Sequence, residues 1–166
     1  MPDLSENRKK QIFLEKRQIF YCEKIISKVV HEHLIEYSPD TNKNTLAMIF
    51  STCPHLFHLS QIYAGKYLKQ ILNSNWKTAL KEIKREFEQN ISSLTDEEEA
   101  TQTIRLYKNQ SNYVIAMSEL LGFMSIEDSC KQLSDLGEYT IQKTVNFLFR
   151  REGIKSTKNF GFTILA

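Results

Sequence analysis

The chain has 166 residues, 41% hydrophobic and 25% charged, with a formal net charge of +2. That places it in the ordinary soluble globular class rather than the disordered one, at a length suited to a single domain. The near balance of charge gives no electrostatic case for a nucleic-acid or anionic-membrane partner, and no apolar run approaches a membrane span.

Five glycines and three prolines argue for few tight turns and therefore for long helices. The N-terminus, MPDLSENRKKQIF, lacks the apolar central region of a signal peptide, so a cytoplasmic location is expected. Cys22, Cys53 and Cys130 are far apart and odd in number, which suits reduced thiols in a reducing compartment.

Residues 6–35 carry Ile12, Phe13, Ile19, Phe20, Ile25, Ile26, Val29, Val30 and Leu34 at the three-to-four spacing of one buried helical face. Ser38-Pro39-Asp40 interrupts it. Asp40 or Thr41 can cap a second, short helix with Leu46, Ile49 and Phe50. Pro54 suits a first helical turn and opens a third helix with Leu56, Phe57, Leu59, Ile62 and Tyr63, which Gly65 is expected to close. A further short helix around Leu68, Ile71 and Leu72 stops at Asn73-Ser74-Asn75, and Trp76, Leu80, Ile83 and Phe87 mark the next.

Two long helices follow, at about residues 95–122 and 125–152. Thr95 with Glu98 reads as a capping box, and the acidic run Asp96 to Glu99 sits at the positive end of the first. Its inner stripe is Ile104, Tyr107, Val114, Met117 and Leu121, up to Gly122. Ser125 with Asp128 opens the second, which runs through Ile126, Cys130, Leu133, Leu136, Ile141, Val145 and Leu148 to Arg150-Arg151, with Gly153 ending it. The short connection at Gly122 to Met124 forces the two to pack antiparallel. Only Phe160 to Ala166 reads as a strand. The expected fold class is all-α, a helical bundle with those two long helices and a short orphan strand at the C-terminus.

Four groups of residues could carry chemistry. Cys53, His55 and His58 offer borderline metal ligands, with His31 and His33 elsewhere, but Cys53 precedes a proline and no fourth ligand is near. Lys77, Lys81, Lys84 and Arg85 could meet phosphates, yet Glu82, Glu86 and Glu88 interleave with them as on a solvated helix face. Phe50, Phe57, Tyr63, Tyr67 and Trp76 could stack on bases, but their helical spacing among leucines and isoleucines reads as core. Asp135 and Glu138, with Glu119, Glu127 and Asp128 nearby, could pair as acid and base, though charges on an exposed helix face need no such role. No phosphate-cradling glycine loop, G-x-S-x-G elbow or metalloprotease helix is present. No catalytic, cofactor-binding or metal residue is therefore assigned.

Three elements stand in order: Cys53-Pro54-His55-Leu56; Ile104, Arg105, Tyr107, Lys108, Ile115, Ala116, Glu119, Leu120 and Gly122 in IRLYKNQSNYVIAMSELLG; and Leu133, Ser134, Leu136 and Glu138. Over roughly residues 46–166 they resemble the glutamine synthetase adenylyltransferases, which have at those places an asparagine-serine-proline-phenylalanine-leucine stretch, an arginine-rich helix and an L-S-x-L-A-[DE] helix. Gln110 and Ser111 depart from that family's arginine-glutamate, Val114 and Ser118 sit where arginines are frequent, and Gly137 replaces an alanine.

The resemblance implies a helical domain, residues 1–159, leading into the first strand of a nucleotidyltransferase core at 160–166. The glycine-lysine-glycine turn and aspartate pair that hold metal and ATP follow that strand in the family, so this chain is expected to be an N-terminal fragment without the catalytic carboxylates. Magnesium and ATP are implied for the full-length family and none for this chain. The implied activity is AMP transfer to and from glutamine synthetase in nitrogen regulation, by two-metal chemistry. The CPHLF stretch and its place near the first Met favour the AMP-removing half. Implied partners are glutamine synthetase and the nitrogen-signalling regulatory protein. The alternative is a free-standing all-helical protein-interaction module.

Overall fold

The computed structural model describes Arg8 and residues 45–46, 48–50 and 52–154. The helix expected over residues 6–35, Arg8 apart, and the strand expected over 160–166 lie outside the described residues. All regular structure among the described residues is helical.

Residues 45–46, 48–50 and 52 are helical, and Leu46, Ile49 and Phe50 are buried. Pro54 separates them from the next helix. Clash with a proline ring drives the preceding residue out of the helical region, and Cys53 sits at φ −126° and ψ 87°. Helix α1 spans Pro54–Leu72, with the proline in its first turn where a missing N–H costs nothing. It does not stop at Gly65. Tyr63, Ala64, Tyr67, Leu68, Ile71 and Leu72 continue the stripe begun by Leu56 and Leu59, and burying them outweighs the roughly 1 kcal/mol that a mid-helix glycine costs.

Helix α2, Trp76–Ser93, is one-sided, burying Trp76, Ala79, Ile83, Phe87 and Ile91 at steps of three and four. Helix α3, Glu97–Leu120, is different. Its second half buries Gln110, Ser111, Tyr113, Val114, Ile115, Met117 and Ser118, which span more than half of its circumference. A helix buried over so wide an arc lies in the middle, and α3 packs against α1, α2 and α4. Helix α4, Ile126–Arg151, packs chiefly on α3 and marginally on α2, and buries only Ser129, Leu136 and Phe147.

The caps explain the boundaries. Asp96, not Thr95, caps α3, its carboxylate accepting from the Glu99 amide at 2.9 Å. The expected box is thus displaced by one residue, because Asp96 is the extended residue directly before the helical turn. Ser125 caps α4 by accepting from the Asp128 amide at 3.1 Å. Helices α1, α3 and α4 end alike. The amides of Ser74, Gly122 and Gly153 bond back to Ile71, Glu119 and Arg150, and those of Asn75, Phe123 and Ile154 to Gln70, Ser118 and Phe149. This six-to-one and five-to-two pairing needs a left-handed residue, supplied by Gly122 at φ 77° and Gly153 at φ 70°. In α1 it falls on Ser74 at φ 58°, the one described non-glycine residue with positive φ.

Candidate functional site

Of the sequence's metal candidates, His31 and His33 lie outside the described residues, and those that are described do not converge. His55 and His58 are exposed, Cys53 is half-buried, and among the described residues no three of His, Cys, Asp and Glu come together as a ligand set. Asp135 and Glu138 are exposed, as are Glu127 and Asp128, while Glu119 is partly buried. The aromatics are core. Tyr63, Tyr67, Trp76 and Phe50 are buried, Phe57 packs on Phe50 edge-on at 6.1 Å, and the Trp76 indole N–H donates to the Phe123 carbonyl at 3.1 Å.

On α2 the two signs of charge separate by partner. Glu86 accepts from the Lys66 ammonium at 2.7 Å and Glu82 from the Gln70 amide at 3.1 Å, both across to α1. Glu88 reaches α4, where it accepts from the Tyr139 hydroxyl and lies 3.8 Å from the Lys143 ammonium. Lys77, Lys81, Lys84 and Arg85 remain exposed. Lys77 lies over the Trp76 ring and Lys84 over the Tyr139 ring, at 5.1 and 4.0 Å from the centroids. The face is therefore solvated and pinned to aromatic surface.

Between α2, α3 and α4 lies a cleft of about 140 Å³ where Lys84, Ser111, Gln132 and Asp135 meet Tyr107 and Tyr139. Its two tyrosines belong to an aromatic trio with Phe87. Phe87 stacks on Tyr107 with centroids 4.2 Å apart, and Tyr139 meets both edge-on. Burial, and then the Glu88 carboxylate, push the Tyr107 phenol up to about 12 and hold that of Tyr139 well above its ordinary range. These tyrosines stay neutral donors. A wider, open groove of about 390 Å³ runs between the end of α2 and the start of α3, lined by Asn90, Glu99, Gln102, Thr103 and Leu106. The first is smaller than the ~300 Å³ at which small-molecule sites begin, and the second presents a carboxylate and no cation to a phosphate.

Arg150-Arg151 is where side chains converge most closely. The Arg150 guanidinium donates to the carbonyls of Ile91 and Leu94, at 2.8 and 2.9 Å. Helix α2 ends on the extended Leu94 with neither glycine nor side-chain cap, so these are carbonyls a helix end leaves unpaired. Arg151 pairs with Glu97 in the first turn of α3 and with Glu152 at 3.1 Å. Sequence reasoning noticed the arginine pair but not its partners Ile91, Leu94 and Glu97, which lie more than fifty residues upstream.

Of the positions that depart from the resembled family, the four on α3 lie inside the bundle and Gly137 is exposed on α4. Gln110, Ser111, Val114 and Ser118 are all buried, and the Ser118 hydroxyl has no hydrogen-bond partner. Charged side chains there would lie between α3 and its neighbours, so their absence favours apolar packing of this bundle.

Searches of curated proteins and of solved structures return no match. The family model for glutamate-ammonia ligase adenylyltransferase matches residues 44–161, a stretch that contains all of α1 to α4. With more than half of its length matched in one uninterrupted span, the chain belongs to the glutamate-ammonia ligase adenylyltransferase family.

Proposed function

We propose that the chain is a non-catalytic helical part of a bifunctional adenylyltransferase and adenylyl-removing enzyme acting on glutamine synthetase, the glutamate-ammonia ligase of the family's description. Residues 1–159 form a helical domain before a nucleotidyltransferase core, and residues 160–166 enter that core's first strand. The observation that carries this reading is the family match over 44–161, which begins before α1 and continues past α4. The five-residue α3–α4 connection and the Arg151–Glu97 pair support an antiparallel arrangement of the last two helices.

In this reading the helices buttress the catalytic sheet and shape the face offered to glutamine synthetase and to the nitrogen-signalling regulatory protein. Magnesium and ATP belong to carboxylates of the core. The described residues provide no such ligand set, so no step of the reaction is assigned to them. The supporting features are mechanical: Arg150 ties α4 to the end of α2, and Trp76 ties α2 to the α3–α4 turn.

The test is an AMP-transfer and AMP-release assay on glutamine synthetase with the purified chain. The chain alone is expected to do neither, yet to be retained by immobilised glutamine synthetase. Magnesium-dependent transfer or release above a boiled control would overturn the non-catalytic assignment, and absence of retention would overturn the proposed partner.

A further inference from the structure

Helix α4 carries a second apolar stripe that the bundle leaves uncovered. Ile126, Leu133, Ile141 and Leu148 are 68%, 46%, 39% and 38% exposed. Cys130, Gly137 and Thr144 fall between them, and steps of three and four residues put all seven on one side of the helix. The buried residues Ser129, Leu136 and Phe147 define the adjacent side, which faces α3. Cys130 and Gly137 are exposed, a Cβ added at Gly137 would meet nothing within 4 Å, and the Thr144 hydroxyl is satisfied on its own helix by the Thr140 carbonyl at 2.8 Å. The stripe therefore holds no unmet polar side chain.

Its order is the same read from either end. Counting outward from Gly137, Leu133 mirrors Ile141, Cys130 mirrors Thr144, and Ile126 mirrors Leu148. A two-fold axis through Gly137 would lay one α4 antiparallel on another, with each large residue beside a large one and each small beside a small one. Close approach at the axis needs a residue without a side chain, and Gly137 stands there. The ends are complementary too. Glu127, in the first turn, has no ion pair among the described residues, and this pairing brings it within about one helical turn of the partner copy's Arg151, whose own pairs with Glu97 and Glu152 are at the surface. We propose that α4 is a self-recognition surface through which two copies of this chain associate as an antiparallel, two-fold pair centred on Gly137. The exposed fractions of the four large residues add to about two whole aliphatic side chains per copy, well below the ~800 Å² per partner of a standard interface. The dimer is accordingly weak.

The experiment uses the full chain. Sedimentation velocity from about 10 to about 500 µM should show reversible monomer–dimer exchange, the range in which interfaces below standard size assemble. L133E, at an exposed position and checked for unchanged helicity, should weaken it at least tenfold. In a C22S/C53S/C130S background, G137C should oxidise to a covalent dimer, because the axis brings the two copies of that position together. In the same background L133C and I141C, mixed, should cross-link to each other in preference to themselves. A monomer at every concentration would overturn the proposal, as would association indifferent to L133E, or L133C joining itself as a parallel pair would. A further contrary outcome is an L133C thiol slow toward maleimide even at the lowest concentration, which would mean that the chain's own residues cover the stripe.

Discussion

Replacing Arg150 by alanine should unfold the end of the bundle more easily by about 1–2 kcal/mol. The guanidinium makes two hydrogen bonds, at 2.8 and 2.9 Å, to the Ile91 and Leu94 carbonyls. Hydrogen bonds involving a charged partner each contribute about 1.5–3 kcal/mol, but Arg150 is exposed and the freed carbonyls regain water, so the sum falls to the lower figure. The positive charge at the C-terminal end of α2 adds a few tenths of a kcal/mol of dipole interaction. For a domain of this size that is a fall in Tm of about 3–8 °C. Urea and thermal denaturation followed by circular dichroism measure it directly. R150K keeps the charge but loses the fork, and should recover only part of the loss. Because the acceptors are neutral, the R150A effect should hardly change between low and high salt, whereas R151A, which removes exposed ion pairs to Glu97 and Glu152, should have an effect that fades with salt. If R150A melts with the parent, the two carbonyl bonds do not secure α4, and the account of how α2 ends is wrong.

Three further outcomes follow from particular atoms. Ser118→Ala removes a buried hydroxyl with no partner and should stabilise the fold by about 1 kcal/mol in urea titrations; a loss of stability would show that the hydroxyl is bonded. Ser74→Gly relieves a left-handed residue at φ 58° and should also stabilise, by about 0.5–1 kcal/mol, whereas Gly122→Ala at φ 77° should cost about 1–2 kcal/mol. Burial raises the Tyr113 phenol from 10.0 to about 12, partly offset by the Ser60 hydroxyl beside it. Above pH 10 the unfolded chain therefore holds fewer protons than the folded one, and stability falls as pH rises from 10 to 12. Tyr113 contributes a loss of about 1.4 kcal/mol per pH unit, readable from phenolate absorbance with parallel circular dichroism, and Tyr113→Phe should make the slope shallower while the raised Tyr107 and Tyr139 phenols keep part of it.

Much of the helical order is legible in the chain because it is local. Ser125 before Asp128, Gly122 and Gly153 after apolar stripes, and Pro54 at a helix start each act within four residues. Gly65 misleads for the same reason. Its local preference is to end a helix, and only the buried Tyr67, Leu68 and Ile71 beyond it, whose partners are distant in sequence, keep α1 going. The central place of α3 is not legible either, since Gln110, Ser111 and Ser118 look like surface residues until three helices surround them. The arginine pair was visible and its job was not, because Ile91, Leu94 and Glu97 are brought to it by the fold. The family was readable from the order of its matched elements. The buried setting of Gln110, Ser111, Val114 and Ser118, which depart from it, was not.

The unequal embedding of the helices sets a hierarchy of opening. Helix α3 touches each of the other three, so none of its central amides can reach solvent unless the whole bundle comes apart. Helix α4 leans on one side of that core, held in its middle by Leu136, the Tyr139–Glu88 contact and Phe147, and at its end by the two arginines. It can lift away about the glycine turn at its start while α1, α2 and α3 stay folded. Such a motion would wet Phe87 and Tyr107, whose stacked rings it helps to roof. In hydrogen exchange, protection would then fall into two tiers, with the 126–151 amides in the faster one. A helix that is both the least anchored and the carrier of an uncovered stripe can trade its place in the bundle for contact with another surface at small cost, and the turn at Gly122 is where that exchange would pivot.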